Sequence, residues 1–125
     1  MTKKDRELLL RDLCARLPYG FKVHRYSDNV DIDIDIENFS HFLEYSEDDE
    51  FKPYLRPMSS MTDKEKEHVK WCMDTVEDEN YPDGYSPSAW DSMTDFTDYC
   101  IAHHLDYRGL IWRDLALEAT KGMYE

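Results

Sequence analysis

Seven consecutive residues constrain this chain more than any other stretch of it. Val30-Asp31-Ile32-Asp33-Ile34-Asp35-Ile36 alternates without a break between β-branched and carboxylate side chains. A period of two sends successive side chains to opposite faces of a strand, whereas a helix would scatter the four aliphatics around its circumference. The segment therefore reads as a half-buried strand, with Val30, Ile32, Ile34 and Ile36 toward a core and Asp31, Asp33 and Asp35 toward water. A slip of one residue would bury three charges, so the register is strongly specified. Just upstream, Phe21, Val23 and Arg25 alternate with Lys22, His24 and Tyr26, and Ser27-Asp28-Asn29 supplies a turn. Together the two runs predict a β-hairpin.

Around the hairpin the periodicity changes to that of helices. Thr2-Lys3-Lys4-Asp5 resembles a capping box with Asp in the Glu position, and Leu9, Leu10, Leu13, Cys14 and Leu17 then recur at helical spacing. A helix over roughly Lys3–Leu17 follows, stopped by Pro18-Tyr19-Gly20. Thr62-Asp63-Lys64-Glu65 is a capping box of the Thr-x-x-Glu form, and Val69, Cys72, Met73 and Val76 extend it into a second helix to about Glu77. A loop turning at Pro82-Asp83-Gly84 leads to Ser88-Ala89-Trp90-Asp91, which opens a third helix with Met93, Phe96 and Cys100 inward. His103-His104 close that helix, where the dipole favours histidine, and Asp106-Tyr107-Arg108-Gly109 breaks it. Phe39 to Tyr45 reads as a third strand, because Phe39, His41, Leu43 and Tyr45 fall on one side. Phe51 to Met58 holds two prolines and reads as extended or edge structure at best. Leu110, Ile111, Trp112, Leu115 and Leu117 are too many apolar residues to leave in water, so the tail should pack back on the domain.

These elements predict a single α+β domain over residues 1–125, with three helices packed on one face of a small antiparallel sheet of two to four strands. A chain of 125 residues can bury a core without disulfides or a structural metal. Cys14, Cys72 and Cys100 are odd in number, far apart and outside any CxxC pair, and each falls on the apolar stripe of a helix. They read as buried small hydrophobes in a reducing compartment. No apolar run nears the roughly 20 residues that span a bilayer, and Leu8-Leu9-Leu10 is too short for a signal peptide. A cytoplasmic protein with no membrane partner is the expectation.

Charge narrows the partners further. The net charge is −13, and it is segregated. Ten carboxylates and no Lys or Arg lie between Asp28 and Glu50, and nine more with no Lys or Arg lie between Trp71 and Tyr107. Such a surface repels phosphate, so direct nucleic-acid binding is disfavoured and a basic protein surface is the better partner. The plainer account is that the acids only keep a small domain in solution. The four glycines stand alone, so no phosphate-binding loop exists, and neither GxSxG nor HExxH occurs. Asp31-x-Asp33-x-Asp35 imitates the start of a calcium loop, but Ile36 occupies the place of its glycine and Phe42 that of its bidentate Glu. The sequence implies no metal, no cofactor and no catalytic residue. Trp71, Trp90 and Trp112 are mostly not interleaved with bases, which suits core or interface roles better than base stacking.

Three stretches carry a resemblance. They are Leu13-Cys14-Ala15-Arg16-Leu17-Pro18-Tyr19-Gly20 with Lys22-Val23; Lys52-Pro53-Tyr54-Leu55-Arg56-Pro57-Met58-Ser59-Ser60-Met61-Thr62; and His104-Leu105-Asp106-Tyr107-Arg108-Gly109-Leu110-Ile111 with the segment from Leu115 to Ala119 and Gly122-Met123-Tyr124. Together they resemble a family of short uncharacterised proteins carried by gut Bacteroidales and their phages and mobile elements. The family brings no established activity. It implies a mobile-element setting, in which small acidic proteins often bind or inhibit host proteins.

The expectation for function is a non-enzymatic acidic interaction protein, a nucleic-acid mimic that binds and inhibits a basic host protein of nucleic-acid handling or defence. Asp31, Asp33, Asp35, Glu47, Asp48, Asp49, Tyr107 and Arg108 are its candidate contact residues. A structural or accessory protein using an aromatic surface is the alternative, and a metal-dependent enzyme a more distant one. Tyr107 and Arg108 have a second reading. Gly109 takes a positive φ after the helix, Tyr107 packs under the turn, and Arg108 pairs with Asp106 or another carboxylate.

Overall fold

In a computed structural model, which describes residues 2–45, 50–74 and 87–124, strands and helices both form, giving an α+β architecture. The chain opens with helix α1, Lys3–Arg16. The Thr2 hydroxyl accepts from the Asp5 N–H at 3.1 Å and the Asp5 carboxylate accepts from the Thr2 N–H at 3.3 Å, completing the expected capping box. A single 3₁₀ turn, Leu17–Tyr19, carries Pro18 and ends at Gly20 with φ 71°. A Cβ there would stand 3.2 Å from the Ile34 carbonyl oxygen, so glycine answers both the backbone angle and the close approach.

The hairpin forms as the alternation predicts. Strands β1, Phe21–Arg25, and β2, Val30–Ile34, pair antiparallel, with Phe21 opposite Ile34 and Val23 opposite Ile32. Its apolar face is narrower than expected, however. Ile34 is buried and Ile32 half-buried, but Val30 is exposed and Ile36, beyond the strand, is 68% exposed. The cause is Asn38, which exchanges two hydrogen bonds with Asp35 (Asn38 N–H to Asp35 Oδ1, 3.0 Å; Asp35 N–H to Asn38 Oδ1, 2.9 Å) and so turns the chain out of the sheet.

That turn launches helix α2, Phe39–Tyr45, where a third strand was expected. Seven residues are too few to fix a period, and the pair Phe39 and Phe42 fits a helical face as well as Phe39 and His41 fits a strand. Local chemistry decides: the Phe39 N–H donates to the Asp35 carbonyl and the Phe42 N–H to that of Asn38. Phe39 then packs edge-on against Phe21, with ring centroids 6.2 Å apart, and Phe42 against Phe51 at 4.6 Å.

Strand β3, Phe51–Leu55, is an interior strand rather than an edge segment, in the order β2-β1-β3-β4. Pro53 is tolerated because it stands opposite Val23 in a pair whose backbone groups point away from each other, and β4 begins pairing only at Tyr54. Strand β4, Leu117–Glu118, runs parallel to β3, so the sheet is mixed and not purely antiparallel.

Helix α3, Asp63–Asp74, starts at the expected Thr62/Glu65 capping box, and helix α4, Pro87–Ala102, packs against it. Helix α4 ends earlier than expected, at Ala102, with His104 rather than a glycine in the left-handed region at φ 61°. Leu9, Leu13, Phe21, Val23, Ile34, Phe39, Phe42, Phe51, Leu55, Leu110, Leu115 and Ala116 form one continuous core. The tail thus packs back, except for Trp112, which is 89% exposed. Cys72 and Cys100 are buried; Cys14 is exposed, because α1 turns Leu9 and Leu13 inward and leaves Cys14 on the flank.

Candidate functional site

Alternation places Lys22, His24, Asp31, Asp33, Lys52 and Tyr54 on the sheet face opposite the core. Cross-strand register then makes the pairs. Lys22 lies opposite Asp33, and its Nζ reaches the Asp33 carboxylate at 2.5 Å. His24 lies opposite Asp31, with Nδ1 at 2.8 Å from Asp31 Oδ1 and Nε2 at 3.1 Å from Asn29 Oδ1. The Tyr54 hydroxyl donates to the same Asp31 oxygen at 2.9 Å. At the margins Arg25 forks onto Asp28, and Lys52 meets Asp114 at 2.7 Å.

The electrostatics follow from these contacts. Donation to the Asp31 carboxylate raises His24 above its ordinary value, and the same bond, followed by that from Tyr54, lowers Asp31. Both imidazole nitrogens face oxygen acceptors, which suits the doubly protonated ring. A histidine held this way has no free lone pair, so it is poorly placed as a general base. Among the described residues, no group of three His, Cys, Asp or Glu side chains is arranged to hold a metal ion.

Of the expected contact residues, Asp31 and Asp33 share this face and are exposed. Asp35 is exposed too, but it lies past the end of β2 in the Asn38 turn and not on the strand face. Glu47, Asp48 and Asp49 fall outside the described residues.

Tyr107 and Arg108 lie elsewhere, against a buried ion cluster. Asp12 and Arg16, both 0% exposed, pair at 2.7 Å one turn apart on α1. Arg16 also donates to the Leu105 carbonyl at 2.8 Å, and Arg108 Nε reaches Asp12 at 3.1 Å. The Tyr107 ring has a guanidinium near it from each arginine, at 5.9 and 5.0 Å from its centroid. Arg108 therefore pairs with Asp12 and not with Asp106, whose carboxylate instead accepts from the Leu110 and Ile111 N–H groups. Gly109 has the expected positive φ, 74°, within this loop and not as the cap of α4.

Residue-level reading of the sequence missed His24, Tyr54 and Lys22 as a set. The signal was present: they occupy the polar positions of the same alternation that marked the core. Comparison with protein-family models, curated proteins and solved structures finds no match.

Proposed function

We propose that this protein is a non-enzymatic interaction module whose acidic surface engages a basic surface on another protein. A nucleic-acid-handling or defence protein of a host fits that description, since its basic groove would otherwise hold phosphate. The observation that carries the reading is the junction between β2 and α2. Ile36 is 68% exposed there, and Asp35 and Glu37 on either side of it are exposed as well. An apolar centre rimmed by one sign of charge is the anatomy of a docking patch, and the rim would steer a basic partner.

The test is capture from host lysate at low and high ionic strength, using wild type and a Glu37→Lys variant. Capture of a basic partner should be lost in the variant and should weaken steeply toward roughly 0.5 M salt. Binding that ignores both changes sinks the reading. One observation favours a second reading, docking through an exposed aromatic side chain: Trp112 is 89% exposed. That reading predicts salt-resistant capture abolished by Trp112→Ala.

A further inference from the structure

The register that pairs Val23 with Pro53 brings Lys22 and Tyr54 opposite each other next, yet no ladder hydrogen bond joins them. A phenol stands between them instead. The hydroxyl of Tyr124 accepts from the Lys22 N–H at 2.9 Å and donates to the Tyr54 carbonyl at 2.6 Å. Its ring lies flat on the His104 imidazole, with centroids 3.8 Å apart and planes 10° from parallel. Burial pushes the Tyr124 hydroxyl up to about 12, so it keeps the proton it donates. Burial also pushes His104 down to about 4, with Arg16 and Arg56 adding to the effect, so the ring beneath is neutral.

The seat is more complete than the segment that fills it. Thr120, Lys121 and Gly122 are exposed, Gly122 has φ 87°, and the turn is closed by the Met123 N–H on the Thr120 carbonyl. Tyr124 lines two clefts, of about 300 and 450 Å³. His104 takes its left-handed backbone at the end of α4, where the Leu105 N–H donates to the Cys100 carbonyl, and its buried Nδ1 has no hydrogen-bond partner among the described residues.

We propose that the slot between β1 and β3 is a phenol-binding site, occupied here by the chain's own Tyr124 and open to an outside phenol when residues 120–124 swing away. The ligand class follows from the seat. One oxygen must both accept from Lys22 and donate to Tyr54, which a neutral hydroxyl does and a carboxylate or phenolate does not. A flat ring must lie on His104, which an aliphatic alcohol lacks. The phenol could be a tyrosine side chain of a partner or a free small phenol. The proposal is independent of the acidic docking patch, and the Glu37→Lys variant should leave it intact.

The experiment removes the plug and offers a substitute. A Tyr124→Ala variant should melt below wild type, and p-cresol should raise its melting temperature saturably while shifting the Lys22 backbone amide resonance. Toluene, with the ring and no hydroxyl, should do neither. N-acetyl-tyrosinamide separates the two sources: rescue by it as well as by p-cresol points to a tyrosine on a chain, and rescue by p-cresol alone to a small phenol. A folded variant that neither phenol rescues, or that toluene rescues equally well, overturns the proposal. If Tyr124→Ala does not fold, wild type carries the test. Excess p-cresol must then shift the Lys22 amide and the Tyr124 ring resonances, and unmoved resonances overturn the proposal.

Discussion

The buried cluster around Asp12 and the outer face of the sheet use the same chemistry in opposite solvents. Asp12 meets Arg16 and Arg108 at 2.7 and 3.1 Å, and on the sheet Asp33 meets Lys22 and Asp31 meets His24 at 2.5 and 2.8 Å. Distance does not separate the two regions; water does. The Asp12 and Arg16 side chains are 0% exposed, whereas that of Asp33 is 81% exposed. Removing one partner inside leaves a charge that water cannot reach, but removing one outside leaves a charge that water solvates at once. The inner cluster therefore ties α1 to the loop after α4, with Arg16 reaching the Leu105 carbonyl, while the outer pairs can exchange partners cheaply. A surface meant to meet another protein belongs to the second kind.

The sharpest way to break this comparison is Asp12→Ala. It strands Arg16 in the interior, so it should cost about 3–5 kcal/mol in denaturant unfolding. Arg108→Ala should cost less, on the order of 1–2 kcal/mol, because Asp12 keeps Arg16 and Arg108 is itself partly exposed. If Asp12→Ala costs under about 1 kcal/mol, water reaches the cluster and the contrast fails.

Acid titration is the next largest effect. Glu65 receives a fork from Arg56 at 2.8 and 2.9 Å and the Thr62 N–H at 2.8 Å, and its carboxyl is pulled down to about 2, first by the Arg56 bonds. A depressed carboxylate stabilises the fold in full above its ordinary value of 4.5, and that stability is lost as pH falls from there toward 2. The side chain is 9% exposed, so little is screened, and the loss is on the order of 3 kcal/mol. His104 acts earlier. Its neutral form is favoured in the fold, so unfolded chains take up protons first and stability falls between 6.5 and about 4. Melting curves across pH should show both steps. Glu65→Gln should destabilise the protein at neutral pH and remove the lower step only.

Much of this fold was legible from short-range chemistry. Both capping boxes, the hairpin register and the left-handed Gly109 rest on neighbours within a few residues, and sequence spacing displays those directly. What was hidden depends on contacts between distant residues. Asp12 and Arg16 look like an ordinary exposed pair one turn apart on α1, and only the return of Leu105 and Arg108 encloses them. Nothing in Gly122-Met123-Tyr124 announces a hydroxyl lodged between β1 and β3, because the gap it fills is created by the two strands together. Phe39–Tyr45 was misread for a local reason: Asn38 can end a strand or start a helix, and the apolar pattern after it fits both. The acidic face was half legible. The alternation identified its carboxylates, but not that Lys22 and His24 on the neighbouring strand compensate two of them.

The smallest expected effect probes that compensation. Lys22→Ala should change unfolding stability by only about 0–1 kcal/mol, since Asp33 is left in water. The sensitive measurement is an NMR titration of His24. Its hydrogen bond to Asp31 should hold its pKa above the ordinary 6.5, and Asp31→Asn should bring it back down. The sign fixes the direction in stability. A raised histidine favours the fold below its ordinary value, and the benefit disappears as pH climbs through the raised value. While protonated, the ring is a cation that Asp31 holds, and a partner's lysine or arginine arriving at Asp31 would compete with it. Binding by this face should therefore tighten as pH rises through the His24 transition. It should tighten less in a His24→Gln variant, which removes the competing charge. Affinity with no pH dependence across that interval would place the partner's contact away from Asp31, on the Asp35–Glu37 side of the sheet.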